Sequence, residues 1–160
     1  MPKRTAPGWG WLAAIAAVGF AGDVAAQTVV DGDTIKLAGT TYRLHGIDAP
    51  ETHQTCADGW PAGRIATEYL VNLMHGHVIT CEPETKDRYG RTVALCRADG
   101  VEIEAEIVRN GMALAFVRYS RDYVALEERA RADKLGMHAH QCEKPWDWRA
   151  RSGPRRVGSE

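Results

Sequence analysis

The residues best suited to chemistry fall in one short stretch, Val29 to Thr52, which reads VVDGDTIKLAGTTYRLHGIDAPET. It holds four acids, Asp31, Asp33, Asp48 and Glu51, and one arginine, Arg43, inside a run that is otherwise strand-like. Acids carried on separate strands converge when the strands pair. Converged carboxylate oxygens suit a hard cation such as Ca²⁺ or Mg²⁺. An arginine beside them suits a phosphate, because its planar fork grips two oxygens at once. The chemistry this combination points to is metal-assisted cleavage of a phosphodiester.

The elements that must position these groups follow from the pattern. Thr28 to Leu37 and Thr41 to Ile47 read as strands, with Ala38-Gly39-Thr40 as the turn between them. Asp48-Ala49-Pro50 ends the pairing, since proline donates no hydrogen bond. Arg43 and Asp48 are an odd number of residues apart and would face opposite ways on an ideal strand. A bulge at Gly46 would bring them to one face. Pro61 to His75 is predicted as a helix with Ala62, Ile65, Ala66, Tyr69 and Leu73 inward, stopped by Gly76. Val78 to Glu82 and Arg91 to Arg97 are predicted strands around the charged loop KDRYGR. Asp99-Gly100 is a turn. Ile103 to Asn110 is a short helix ended by Gly111, and Ala113 to Val117 is extended. A last helix runs from Tyr123 to Leu135, capped by Asp122 and carrying the one-turn pairs Glu127–Arg131 and Arg129–Asp133.

Length and composition set the frame. A chain of 160 residues, with 44% hydrophobic and 26% charged residues, fits one folded domain. The net charge of -1 gives no global argument for a nucleic-acid partner. Residues 1–26 read as a signal peptide: Lys3 and Arg4 lead, an apolar run follows, and Val24-Ala25-Ala26 offers small residues for cleavage. Its removal would take the 20 basic and 21 acidic residues to 18 and 20. The expected location is periplasmic or secreted, with no membrane contact after cleavage. Four cysteines in an exported chain favour disulfides. Cys81 and Cys96 flank a hairpin and are paired, which leaves Cys56 with Cys142. The expected division is a domain over 27–145 and a tail over 146–160. In that tail Trp146 and Trp148 clip the end to the domain, and the basic residues after Ala150 are disordered and solvated. The string His138, His140, Cys142 has the donor types for zinc or copper, but an oxidised Cys142 and the lack of an evident fourth ligand argue against it. His45, His53, His75 and His77 read as surface or structural histidines.

Taken in order, Asp-Gly-Asp-Thr at 31–34, Tyr-Arg-Leu-His-Gly-Ile-Asp-Ala-Pro-Glu-Thr at 42–52, Asp-Arg-Tyr-Gly-Arg at 87–91 and Ile-Val-Arg-Asn-Gly-Met-Ala at 107–113 resemble the staphylococcal nuclease (thermonuclease) family. The resemblance covers about Thr28 to Gly136. It implies an α+β OB-fold, a five-stranded antiparallel β-barrel with three helices. It also implies Ca²⁺-dependent hydrolysis of DNA and RNA at the 5′ P–O bond, leaving 3′-phosphate ends. By that resemblance Asp33, Asp48 and the backbone carbonyl of Ala49 are the metal ligands. Glu51 holds and activates the attacking water, and Arg43 and Arg91 clamp the phosphate. Asp31 supports the metal site from behind. Tyr89 lines the phosphate end of the pocket, and Phe116 and Tyr119 are candidates for stacking on the base. Glu104 departs from the asparagine common in that helix, and His138-Ala139-His140 stands where an aromatic ending is usual. A monomer is expected. The alternative, from another class, is a non-catalytic nucleic-acid-binding OB-fold module, which would have no need of Glu51.

Overall fold

The computed structural model describes residues 26–152. Residues 1–25, and with them nearly all of the expected signal peptide, lie outside the described residues, as do residues 153–160. Among the described residues no helix is long and apolar enough to cross a membrane.

The fold is mixed α+β. Strands β1 (Gln27–Asp31), β2 (Thr34–Leu37), β3 (Thr40–Leu44), β5 (Ile79–Lys86) and β6 (Thr92–Ala98) form a sheet in the order β1-β2-β3-β6-β5. Two short pieces join them: β4 (Ile47–Asp48) pairs β8 (Leu114–Ala115), and β7 (Val101–Glu102) pairs β6. The expectation of a wholly antiparallel arrangement is corrected, since β3 and β6 run parallel, with Tyr42 opposite Thr92 and Leu44 opposite Ala94. The long connection through α1 and β5 makes that crossover possible. The helices number four among the described residues, not three: α1 (Ala62–Met74), α2 (Ile103–Arg109), α3 (Val124–Ala132) and α4 (Pro145–Ser152). A 3₁₀ turn spans Gly136–Ala139.

Several local expectations are revised. Thr28 to Leu37 is not one strand but the hairpin β1–β2, turning at Gly32-Asp33. Gly32 is needed there for space: a Cβ would lie 2.7 Å from the Ala49 methyl and 3.1 Å from that of Ala66. The β2–β3 turn places Ala38 at φ 47 and Gly39 at φ 82, the left-handed pair that a two-residue hairpin demands. Gly46, at φ 67, is not a bulge within a strand but part of a turn that separates β3 from β4. The buried stripe of α1 is Ala62, Ala66, Leu70 and Met74, one step round from the expected face, with Gly63 against the Glu51 loop. The N-terminus of α3 has no side-chain cap; Asp122 instead accepts from the Ser120 hydroxyl at 2.6 Å. The Glu127–Arg131 pair does form.

Ile35, Leu44, Ile47, Leu70, Ile103, Ile107 and Val108 fill the core between the sheet, α1 and α2. Each such side chain contributes about 1.5–3 kcal/mol by leaving water. Both expected disulfides are present. Cys81–Cys96 bridges directly opposed residues of β5 and β6, and Cys56–Cys142 closes a separation of 86 residues. In the chain-entropy account the larger loop contributes between about 4 and 5 kcal/mol, the smaller about 3 kcal/mol.

One core group is out of character. Glu104 is fully buried on α2; its Oε1 accepts the Cys96 N–H at 2.9 Å, and its Oε2 has no partner. Burial pushes its carboxyl up to about 8. The folded protein therefore holds a proton at neutral pH that the unfolded chain releases. The resulting stabilisation is complete below about pH 4.5 and is lost as the pH rises through about 8. Over that span the loss is on the order of 5 kcal/mol, at about 1.4 kcal/mol per pH unit. Glu104→Gln is isosteric and cannot ionise. Denaturant unfolding from pH 5 to 9 is expected to show a flatter stability curve for the variant than for the wild type. Parallel curves would remove Glu104 as the source.

Candidate active site

The β1–β2 turn delivers Asp33. Its backbone N–H is held by Asp31 Oδ1 at 3.1 Å, which gives Asp31 its supporting place. Asp33 Oδ1 accepts the Thr34 hydroxyl at 3.2 Å, and Oδ2 accepts the Ala49 N–H at 2.8 Å. The register of β2 on β3 sets Thr34 opposite Arg43, so the Arg43 guanidinium reaches Asp33 and forms an ion pair. The turn at His45-Gly46 then folds β4 back, and Arg43 Nη2 meets Asp48 Oδ1 at 2.7 Å and the Ile47 carbonyl at 3.3 Å. The odd spacing of Arg43 and Asp48 is thus overcome by a change of direction. The carboxylate partners of Arg43 are Asp33 and Asp48.

Asp33 and Asp48 are buried, and Arg43 is nearly so. Burial pulls the Arg43 guanidinium below its ordinary value while Asp48 raises it. An arginine stays charged through such a shift. Glu51 is half-exposed beyond Pro50. Its backbone is clamped by Gln54, whose Oε1 accepts the Glu51 N–H at 3.2 Å and whose N–H donates to the Glu51 carbonyl at 2.7 Å. Gln54 is itself buried and donates through Nε2 to the Glu143 carbonyl at 2.7 Å.

Arg91 arrives from the loop between β5 and β6. Asp87 orients it, accepting Nε at 2.6 Å and the backbone N–H at 3.0 Å. Burial works to raise the Asp87 carboxyl, but Arg91 and the Tyr89 N–H hold it below the usual carboxylate range. Arg91 Nη1 lies 3.5 Å from the Thr34 hydroxyl, which itself donates to Asp33. Arg91 therefore stands on the same side of the sheet as the carboxylates. Tyr89 is exposed, with the Arg91 guanidinium carbon 5.6 Å from its ring centre. Tyr119 is exposed and packs on Phe116 at 5.2 Å between ring centres. In the His138, His140 and Cys142 string, Cys142 is in its disulfide, and His140 stacks on Trp60 and pairs with Asp58.

A residue outside the motifs completes the cluster. Arg149 of α4 spans both oxygens of Asp48, with Nη1–Oδ1 at 3.1 Å and Nη2–Oδ2 at 2.6 Å, and reaches Glu51 Oε1 at 2.6 Å. Burial works against its charge, yet the bonds to Asp48 and Glu51 outweigh that and raise the guanidinium above its ordinary value. Arg149 and Gln54 lie outside the motifs, and Thr34 and Asp87 lie within them as residues to which the sequence assigned no role.

The donor set suits a hard cation. Asp33, Asp48 and the Ala49 carbonyl supply oxygen only, and Arg149 shows that a positive charge already settles on Asp48 and Glu51. Two carboxylates and a carbonyl would leave positions for water around such an ion; among the described residues no three acid, histidine or cysteine side chains gather as a metal cage.

The domain is mixed α+β and gathers buried carboxylates and arginines beside the parallel β3–β6 pair. The family model described as staphylococcal nuclease homologue matches residues 41–140, and the chain belongs to that family. It is 32% identical over 121 residues to the probable staphylococcal-like nuclease CAN1 of Oryza sativa subsp. japonica, covering 74% of this chain and 35% of that protein. It is 32% identical over 129 residues to an uncharacterized endonuclease of Haemophilus influenzae, covering 76% and 69%. It is also 32% identical over 123 residues to the succinoglycan biosynthesis protein ExoI of Rhizobium meliloti, covering 72% and 64%. The chain spans from about a third to about two thirds of the length of these relatives.

Proposed function

We propose that the chain is a Ca²⁺-dependent nuclease that hydrolyses phosphodiester bonds of DNA and RNA and leaves 3′-phosphate ends. The observation that carries this reading is the single line of contacts Arg91–Thr34–Asp33–Arg43–Asp48, with Glu51 joined to Asp48 through Arg149. Membership of the nuclease family supports it. The sheet order β1-β2-β3-β6-β5 supports an OB-type fold, with the domain over 27–145.

In this reading Asp33, Asp48 and the Ala49 carbonyl hold the ion, which supplies positive charge against the phosphate oxygens. Glu51 orients the attacking water and accepts its proton at the carboxylate. Arg43 and Arg91 donate to the equatorial oxygens, where charge grows in the transition state. In this reading Arg91 also hydrogen-bonds the leaving oxygen. Tyr89 flanks the phosphate, and Tyr119 with Phe116 offers a face for a base. The protein is periplasmic or secreted, where Ca²⁺ is abundant, and acts as a monomer free of the membrane. The test is cleavage of single-stranded DNA in Ca²⁺ and in EDTA. Binding without cleavage in Ca²⁺ would favour a non-catalytic module.

A further inference from the structure

We propose that α4 is a latch on the cation site: Arg149 occupies Asp48 and Glu51 in the metal-free protein, and a divalent cation enters only by displacing it. The proposal rests on the reading of Asp48 as a cation ligand. Asp48 is fully buried and has two oxygens. Oδ1 receives both Arg43 and Arg149, and Oδ2 receives Arg149. With both oxygens so engaged, a cation must compete for them. Arg43 also pairs with Asp33 and is held inside the sheet, whereas Arg149 enters from a helix at the end of the domain.

The latch is tethered at its base. Cys142 is bonded to Cys56, the Glu143 carbonyl accepts Gln54, the Ala57 N–H donates to the Gln141 carbonyl, and Pro145 is buried. Beyond that anchor α4 is held by the half-buried Trp146 and Trp148 and by Arg149 itself. Trp146 packs on Phe116 at 5.4 Å between ring centres, and Arg151 pairs with Glu143 within the same segment. The Arg149 side chain is 40% exposed, so water can take it up as it leaves. Release of α4 beyond the buried Pro145 uncovers the half-buried Trp146 and Trp148, and the disulfide keeps the helix beside the site for return.

The test is Ca²⁺ binding by calorimetry to the full chain, with amide hydrogen exchange of residues 145–152 in Ca²⁺ and in EDTA. Arg149→Ala and Arg149→Gln are each expected to bind Ca²⁺ about tenfold more tightly or better, the scale of one charge-assisted hydrogen bond lost by the competitor. Arg151→Ala removes the same charge from the same helix and is expected to change affinity less than twofold. In the wild type, exchange across α4 is expected to rise on Ca²⁺ binding. Ca²⁺ bound equally by wild type and Arg149 variants, or α4 exchange unmoved by saturating Ca²⁺, would overturn the latch and leave the nuclease reading standing. No Ca²⁺ binding to any form would overturn the cation site itself, and the latch with it.

Discussion

Arg43→Ala is expected to cost the protein both its rate and a large part of its stability. Arg43 is the counter-ion of two buried carboxylates, Asp33 and Asp48. Asp48 keeps Arg149 when Arg43 is removed, but Asp33 keeps only the Thr34 hydroxyl and the Ala49 N–H. Leaving a buried charge without its partner costs about 3–5 kcal/mol. The retained neighbours put the expected loss at the lower end, about 3 kcal/mol. On the rate, loss of one preorganised donor to the phosphate should lower turnover about 10²–10³-fold. Denaturant unfolding and single-turnover cleavage read the two effects separately. Arg43→Lys should recover part of the stability and little of the rate, because an ammonium is a point charge that cannot span Asp33, Asp48 and a phosphate. A variant as stable and as active as the wild type would remove Arg43 from both roles.

Glu51→Gln is expected to lower turnover about 10²–10⁴-fold, the range of a positioned proton acceptor, while nucleotide binding persists. The two properties should separate because of where Glu51 stands. Its side chain is half-exposed, and its place in the loop is set by backbone bonds to Gln54 that the substitution leaves intact. Glutamine also keeps an oxygen for Arg149, so the fold should lose little. Cleavage and nucleotide affinity measured on one preparation decide it. Unchanged turnover would take Glu51 out of the mechanism, and lost binding would make it a binding residue rather than a proton acceptor.

Much of this site is legible in the sequence because its groups sit in short motifs whose spacing constrains the backbone. Asp33, Arg43, Asp48 and Glu51 lie within one run of strand and turn residues, and their meeting follows once β2 pairs with β3. Cys81 and Cys96 were readable for the same reason, as opposed positions in a hairpin. What local pattern could not show was direction. The β-rich letters on either side of Asp31-Gly32-Asp33 carry one pattern, so the hairpin there reads as one strand. Gly46 reads as a bulge because parity demands a correction, and a turn supplies the same correction. Arg149 was hidden more deeply. It sits in a basic, weakly amphipathic stretch that resembles a solvated tail, and only the Cys142 anchor and the Gln54–Glu143 bond bring that stretch back to the carboxylates. Those are contacts across 86 and 89 residues, which no local periodicity records.

The most direct measurement of the central claim is cleavage of a 5′-labelled single-stranded DNA by the processed protein, titrated from EDTA into Ca²⁺. Fragments that appear only as Ca²⁺ is added, that vanish when EDTA is restored and that carry 3′-phosphate ends are the expected result. Cleavage undiminished in EDTA, or none at any Ca²⁺ concentration, would contradict a site in which Asp33 and Asp48 hold the cation that Arg43, Arg91 and Glu51 work beside.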